Sequence, residues 1–267
     1  MKLTIISVSV PTKYPQICRK IASLGNLTLP VLASITPSDI NIQLIDESLY
    51  LKKPDYHNLK TDFAALSVRT SCADRAYMIS DVLRSRGIKT VLGGIHPTVL
   101  PEESKKHADA VVIGEAETVW PQVCQDFQND RLKPFYKSEN SFDLSHLPIP
   151  KRHLLRFPNR ALLNFPTIQT GRGCPHHCTF CSVKKVYGGT YRKRPVEDIL
   201  QELRLIWNSK SFYSKIVSSV HDWFLFFLDD NLFANSKYAK ELLLRLRPFK
   251  KGGTARPPFR LQKMMNC

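Results

Sequence analysis

Residues 63–117 read FAALSVRTSCADRAYMISDVLRSRGIKTVLGGIHPTVLPEESKKHADAVVIGEAE, and the alternation within this stretch decides the fold class. Three short apolar runs, Phe63–Val68, Thr90–Leu92 and Ala110–Ile113, are separated by helical patterns. Ala76, Ile79, Val82 and Leu83 recur at helical spacing within Ala73–Arg86, which stops at Gly87. The second run closes on Gly93-Gly94 and the third on Gly114. Strands alternating with helices at this spacing predict βαβ units, a doubly wound parallel sheet and right-handed crossovers. Continuous apolar runs such as VVI fit burial on both faces.

Working outward, Leu3–Val8 and Ile40–Ile45 add two strands, and Pro101–Lys106 and Glu117–Phe127 fill later crossovers. Open parallel sheets bind ligands beyond the carboxyl ends of their strands. That rule selects Ser67–Ser71 (SVRTS), Gly93–Thr98 (GGIHPT) and Gly114–Glu117 (GEAE), with Ser67, Thr70, Ser71, Gly93, Gly94, His96, Gly114 and Glu115 as candidate binding residues. Glycines let a backbone approach a bulky ligand, and such loops supply amide donors. Taken alone, Gly93-Gly94 also reads as a plain turn and His96 as a hydrogen-bonded loop residue.

Asn129–Pro166 carries five prolines without a sustained period and predicts a connector. A strand at Thr167–Thr170 then runs into GRGCPHHCTFCSVKKVYGGTYRKRP (171–195). Pro195, Glu197 and Asp198 open a helix whose apolar face is Val196, Ile199, Leu200, Leu203, Ile206 and Trp207. Trp223–Leu228 predicts a strand ending in Asp229-Asp230-Asn231, and Lys237–Arg247 a helix. Neither Ser209–His221 nor the stretch from Pro248 onward shows a period. The expected organisation is a Rossmann-like domain over 1–137, a linker over 138–166, a second α/β domain over 167–248 and a basic tail over 249–267.

The chain has 267 residues, 43% hydrophobic and 23% charged, which excludes disorder and collagen. No apolar run approaches the ~18 residues of a membrane span. The start, MKLTIISVSVPTKYP, reads as a strand rather than a signal peptide, so the cytoplasm is the expected location. The formal charge of +16 is local: Leu144–Val196 holds ten Lys/Arg and no acid, and seven more follow Glu241. A uniformly basic surface would indicate nucleic acid. Two local excesses predict instead an anion-handling segment and the tail.

Of seven cysteines, Cys18, Cys72 and Cys124 stand singly among apolar residues and Cys267 is terminal. Cys174, Cys178 and Cys181 form a C-x3-C-x2-C cluster, and three thiols within eight residues favour metal over a disulfide framework. Three thiolates from one loop suit three irons of a [4Fe–4S] cluster, leaving the fourth iron open to a small molecule. Arg172, Lys184 and Lys185 would add positive potential, and Gly171 and Gly173 allow a tight turn. Zinc completed by His176 or His177 is the alternative, against which stands the lack of a second C-x2-C pair.

GRGCPHHCTFC resembles the signature of radical S-adenosylmethionine (SAM) enzymes. GGIHPTVLPEE, DAVVIGEAE, LPIPKRHLL, RKRPVEDILQEL and FFLDDNLFANSKYAKELL extend the resemblance over about residues 1–248, to the cobalamin-binding, hopanoid-methylase-like group. The resemblance implies that Cys174, Cys178 and Cys181 ligate a [4Fe–4S] cluster whose fourth iron is chelated by SAM. It implies that Phe180 lines the adenine side and that Asp229, Asp230 and Asn231 bond the methionine amino group or ribose. Reductive cleavage of SAM would give a 5′-deoxyadenosyl radical, and a methyl group carried by cobalamin in the N-terminal domain would complete a C-methyl transfer. The partners implied are a small-molecule or lipid-like substrate and an electron donor such as a flavodoxin or ferredoxin.

The chain departs from the family's pattern in two places. PTKYPQICRKIASLG (11–25) lacks the D-x-H-x-x-G histidine, so cobalamin would bind without a His lower ligand. A six-unit radical SAM barrel needs roughly 190 residues, scaled from ~250 for eight units. About 100 follow Thr167, enough for two units, which predicts a truncated member with weak or no turnover. Two alternatives stand beside that reading: a tRNA methylthiotransferase-like enzyme, suggested by Arg192–Arg194, and a non-catalytic remnant that binds cluster or corrinoid.

Overall fold

The computed structural model describes residues 1–9, 22–24, 26–50, 53–155, 163–208 and 225–247. The calls on 11–21, Ser209–His221, Trp223 and the tail over 249–267 lie outside these. In chain order the first part runs β1 (Lys2–Ser7), β2 (Ala22–Leu24), α1 (Thr28–Ile35), β3 (Asn41–Asp46), β4 (Phe63–Ser67), α2 (Ala73–Ser85), β5 (Lys89–Gly93), α3 (Ile95–Val99), α4 (Pro101–Lys106), β6 (Ala110–Ile113), α5 (Ala116–Gln128) and β7 (Phe135–Lys137). Six of the strands make one all-parallel sheet in the order β3-β1-β4-β5-β6-β7.

The side chains alternate across this sheet with the period of two that a strand imposes. Leu3, Ile5, Phe63, Ala65 and Val91 pack on one face against Leu29 and Ala33 of α1 and Trp120 and Val123 of α5. Ile6, Val8, Ala64, Leu66 and Leu92 pack on the other against Ala76, Ile79 and Leu83 of α2. Each fully buried Leu, Ile or Phe contributes about 1.5–3 kcal/mol. Trp120 is held further by its indole N–H, which donates to Thr36 Oγ1 at 2.8 Å.

The second part runs β8 (Leu163–Phe165), β9 (Thr167–Ile168), β10 (Gly171–Arg172), α6 (Val183–Tyr187), β11 (Arg192–Lys193), α7 (Val196–Asn208), β12 (Phe226–Phe227) and α8 (Ser236–Leu246). β9 and β12 pair in parallel, and each leads towards a helix, so two successive βα units follow the sheet. Ile168, Ile199, Leu200, Leu203, Leu225, Tyr238, Leu242 and Leu246 form their shared core. Asn235 caps α8 by accepting from the Tyr238 amide at 3.0 Å. β10 and β11 form a short antiparallel ladder that brackets the cysteine loop.

The proline-rich stretch 129–166 is more structured than its composition predicts. β7 closes the main sheet and β8 pairs in parallel with β2. Leu147 packs with Leu27 and Val31, and Leu155 joins the main core. Three-residue strands and isolated buried leucines carry too few positions to show a period. Among the described residues no helix is long and apolar enough to cross a membrane.

Candidate cofactor site

Strand order reverses between β1 and β4, and the crevice outside their carboxyl ends is where such sheets bind ligands. A cavity of about 530 Å³ lies there. Its polar floor is made by Ser7 and Ser9 after β1, Asp46 and Ser48 at the end of β3, and Ser67 and Arg69 after β4. Gly93 and Gly94 after β5 and Gly114 to Glu117 after β6 continue it. An apolar slot opens beside them, walled by Val31 and Leu32 of α1, Trp120 of α5, and Ala65, Val91 and Val112. The roof comes from the second part: Gln169, Arg172, Val186, Tyr187 and Leu228.

Gly94 shows why glycine stands here. Its φ is +106°, and a Cβ would lie 2.9 Å from the Val68 carbonyl oxygen. The β4 and β5 loops therefore interlock, with the His96 amide donating to Val68 O at 3.2 Å. The floor is fixed from below by Glu47, whose buried carboxylate accepts from the Ser9 amide at 3.0 Å, Tyr56 Oη at 3.1 Å, Lys53 Nζ at 3.3 Å and Arg75 Nε at 2.8 Å. Burial pushes Glu47 up, but its bonds to Arg75 and Ser9 overcome this and hold it below the ordinary carboxylate range.

The structure brings Ser67, Gly93, Gly94, Gly114 and Glu115 together on the cavity wall. Thr70 and Ser71 lie in an exposed 3-10 turn outside it. His96 is buried and turned away, its Nε2 2.7 Å from Tyr77 Oη and 3.3 Å from Glu103. Arg69 of the selected SVRTS loop lines the cavity as well, and so do Asn26, Trp120 and Tyr187, contacts that sequence reasoning missed because they arrive from other elements.

Arg172 is a correction. Its expected role was to add positive potential to the thiols, but it is buried and bonded to carboxylates. Nη2 donates to Glu117 at 2.8 Å and Nη1 lies 3.5 Å from Glu115, while the guanidinium stacks 5.4 Å from the Tyr187 ring centroid. Arg192 donates to Glu115 at 2.8 Å, Arg194 pairs with Glu202 at 2.7 Å, and Arg152 also bonds Glu202. Four of the segment's ten cations thus neutralise carboxylates from elsewhere in the fold and are not available to an external anion. Burial raises Glu115, yet the Arg192 bond and the Arg172 charge hold it below the ordinary range.

The start of the cysteine loop is gripped by the end of β12. Asp229 accepts from the amides of Thr170 and Gly171 at 2.7 and 2.6 Å and from the Thr170 hydroxyl at 2.6 Å. Asp230 accepts from the Gly173 amide at 2.9 Å, and Asn231 Nδ2 donates to Cys174 Sγ at 3.7 Å. Gly173 has φ +87°, and a Cβ would sit 2.4 Å from Thr190 O. Further along, Cys178 and Cys181 are exposed and Phe180 is 91% exposed.

Cys174, Cys178 and Cys181 are free thiols on one eight-residue loop, a donor set that fits an iron–sulfur cluster. Among the described residues no three metal-ligating side chains already converge, as is common where the metal itself gathers its ligands. Lys184 Nζ is 2.6 Å from His177 Nδ1, which engages one of the two histidines that a zinc site would use.

Residues 168–219 match the family model described as the radical SAM superfamily. These residues carry a radical SAM domain. The chain's curated relatives include a bacteriochlorophyllide d C-8(2)-methyltransferase of Chlorobaculum tepidum, 32% identical over 82% of this chain and 49% of the relative. Another is a hopanoid C-2 methylase of Rhodopseudomonas palustris, 27% identical over 93% and 44%. Among solved structures, the radical SAM methyltransferase TsrM of Kitasatospora setae, bound to cobalamin and a [4Fe-4S] cluster, superposes with a TM-score of 0.62 at 13% identity. The alignment covers 93% of this chain and 51% of TsrM, so the α/β fold is shared. The chain spans about half the length of the relatives it matches.

Proposed function

We propose that this chain carries the cofactor-binding half of a cobalamin-dependent radical SAM C-methyltransferase. The observation that carries the reading is the cavity itself, floored by the carboxyl ends of a parallel sheet and roofed by the hairpin that bears C-x3-C-x2-C. In this reading residues 1–137 form the corrinoid unit, 138–166 a linker and 167–248 the first two βα units of the radical SAM domain. Cys174, Cys178 and Cys181 hold the cluster, and Phe180 and the free lone pairs of Asp229 to Asn231 face SAM. A cluster, SAM and corrinoid together supply radical generation and methyl transfer. Ser67, Gly93, Gly94, Gly114 and Glu115 meet the corrinoid's polar rim, and the slot between Val31 and Trp120 takes its flat apolar part. Thr70, Ser71 and His96 are left with support roles in the loops.

Exposed Lys184 and Lys185 beside the thiols support an acidic one-electron donor of the flavodoxin or ferredoxin class. The relatives' names support a small-molecule or lipid-like methyl acceptor. The methylthiotransferase reading loses its support in Arg192 and Arg194, because both are spent on buried carboxylates.

The test is anaerobic reconstitution with iron and sulfide, followed by titration with hydroxocobalamin and assay of SAM cleavage. Visible cluster absorbance together with stoichiometric corrinoid uptake supports the reading. Cluster assembly without corrinoid uptake overturns the assignment of the first unit. Uptake of both with no SAM cleavage favours the binding remnant.

A further inference from the structure

Among the described residues a buried ion-pair network joins the sheet unit to the cysteine hairpin, and its geometry links the cavity to the thiols. Glu115, in the loop after β6, accepts from Arg192 Nη1 at 2.8 Å and from the Phe142 amide at 2.6 Å, and lies 3.5 Å from Arg172 Nη1. Glu117, two residues on, accepts from Arg172 at 2.8 Å. Arg172 belongs to β10 and Arg192 to β11, the two limbs that bracket the cysteine loop. Arg192 also donates to the carbonyls of Phe142 at 2.7 Å and Tyr187 at 3.1 Å, which ties α6 into the same network. Glu115 and Arg172 are both almost fully buried.

Glu115, Glu117, Arg172 and Tyr187 are at once members or neighbours of this network and walls of the cavity. A ligand in the cavity therefore touches both sides of the contact that holds the cysteine hairpin down. We propose that Glu115 is the positioning residue that fixes the cysteine hairpin over the sheet, so that filling the cavity and loading the thiols favour each other. The inference rests on the corrinoid reading of the cavity for the identity of the ligand, but not for the hairpin's attachment. Removing the carboxylate charge leaves Arg172 and Arg192 short of a buried counter-charge, and the hairpin gives way before the helices do. Ordering shared by two ligands produces positive coupling, which must be reciprocal.

The experiment compares the wild-type chain with Glu115→Gln, both reconstituted anaerobically, with far-UV circular dichroism as the control for folding. Its first arm follows the rate at which a chelator strips iron, with and without hydroxocobalamin. Its second measures hydroxocobalamin affinity before and after cluster loading. In the wild type each cofactor is expected to strengthen retention of the other by about fivefold or more. In Glu115→Gln iron loss is expected to be about fivefold faster without corrinoid, and the mutual strengthening falls towards one. A merely structural role would lower both affinities and leave that ratio intact.

If the folded variant keeps iron within twofold of wild type, or keeps the full coupling ratio, the inference is overturned. If wild type takes up no hydroxocobalamin, the corrinoid reading fails and the iron-loss arm alone decides the inference. Should Glu115→Gln not fold, Arg192→Lys is measured instead, since it keeps the charge and loses the forked contact to Glu115 and the carbonyls.

Discussion

In the sheet unit every central strand has a strand on either side, and packed side chains cover both faces. In the cysteine-bearing unit β9 and β12 have only each other among the described residues, and one core shared with α7 and α8. Among the described residues, six of the ten exposed large apolar side chains, Phe180, Leu205, Phe226, Leu228, Phe233 and Leu244, fall in this second unit. The difference shows where order at the thiols comes from. The sheet unit is held by its own burial, whereas the cysteine hairpin is held by polar contacts at its two ends: Asp229 to Asn231 on one limb, and Glu115 and Glu117 on both.

The largest effect expected from that contrast is all-or-none. Replacing Cys174, Cys178 and Cys181 together with Ala is expected to abolish iron and visible absorbance after reconstitution, while the thermal midpoint of the unloaded protein stays within about 2 °C of wild type. Exposed thiols contribute little to the apo fold. A large fall in that midpoint would mean the loop is part of a core, and the two units would then not differ as described.

Glu47→Gln tests the opposite side. Its carboxylate is fully buried among Arg75, Lys53 and Tyr56, and breaking such a set costs about 3–5 kcal/mol. The same group sets a pH dependence. Its folded pKa is depressed, so its contribution is present above the ordinary carboxylate range and lost as pH falls through the folded value. Denaturant midpoints of wild type should drop below about pH 5, and those of Glu47→Gln should drop less steeply. Parallel pH curves would remove Glu47 from the account.

Gly94→Ala comes next, at about 1–3 kcal/mol, because it adds a Cβ at φ +106° facing the Val68 carbonyl. Hydroxocobalamin uptake should fall along with stability, since the β4 and β5 loops that interlock there form the cavity floor. Retained uptake in a destabilised protein would show that the floor tolerates displacement.

How much of this was legible in the chain follows from the range of each interaction. β4, β5 and β6 were readable because each is an apolar run closed by small or glycine residues, and α2, α7 and α8 because their apolar positions repeat at helical spacing. β7 was not readable, since Phe-Tyr-Lys is three residues long with a proline just before it. The thiol motif was plain from spacing alone. The partnership of Glu115 with Arg192 was invisible, because 77 residues separate them and nothing local distinguishes a buried arginine from a solvated one. Four arginines of the basic segment were misread for that reason: their charge was counted, but their acidic partners lie in other elements.

The smallest expected effect is at Asp229, and it has the opposite sign to Glu47. Burial raises the Asp229 carboxyl, and Asp230 beside it adds repulsion, against which its bonds to Thr170 and Gly171 only partly compensate. A raised carboxyl favours the protonated folded form, so its penalty grows as pH rises through the folded value. Asp229→Asn keeps one carbonyl oxygen for the Thr170 and Gly171 amides and loses only the charge-assisted bond from the Thr170 hydroxyl. The change in stability at neutral pH should therefore stay within about 1 kcal/mol, with part of that bond's loss offset by relief of the repulsion. Between pH 7 and about pH 4 the gap between variant and wild type should shift in favour of the wild type, as the native carboxyl takes up its proton. A gap that instead moves towards the variant on acidification would mean that Asp229 is held ionised like Glu47, and the two units would then use their buried carboxylates in the same way.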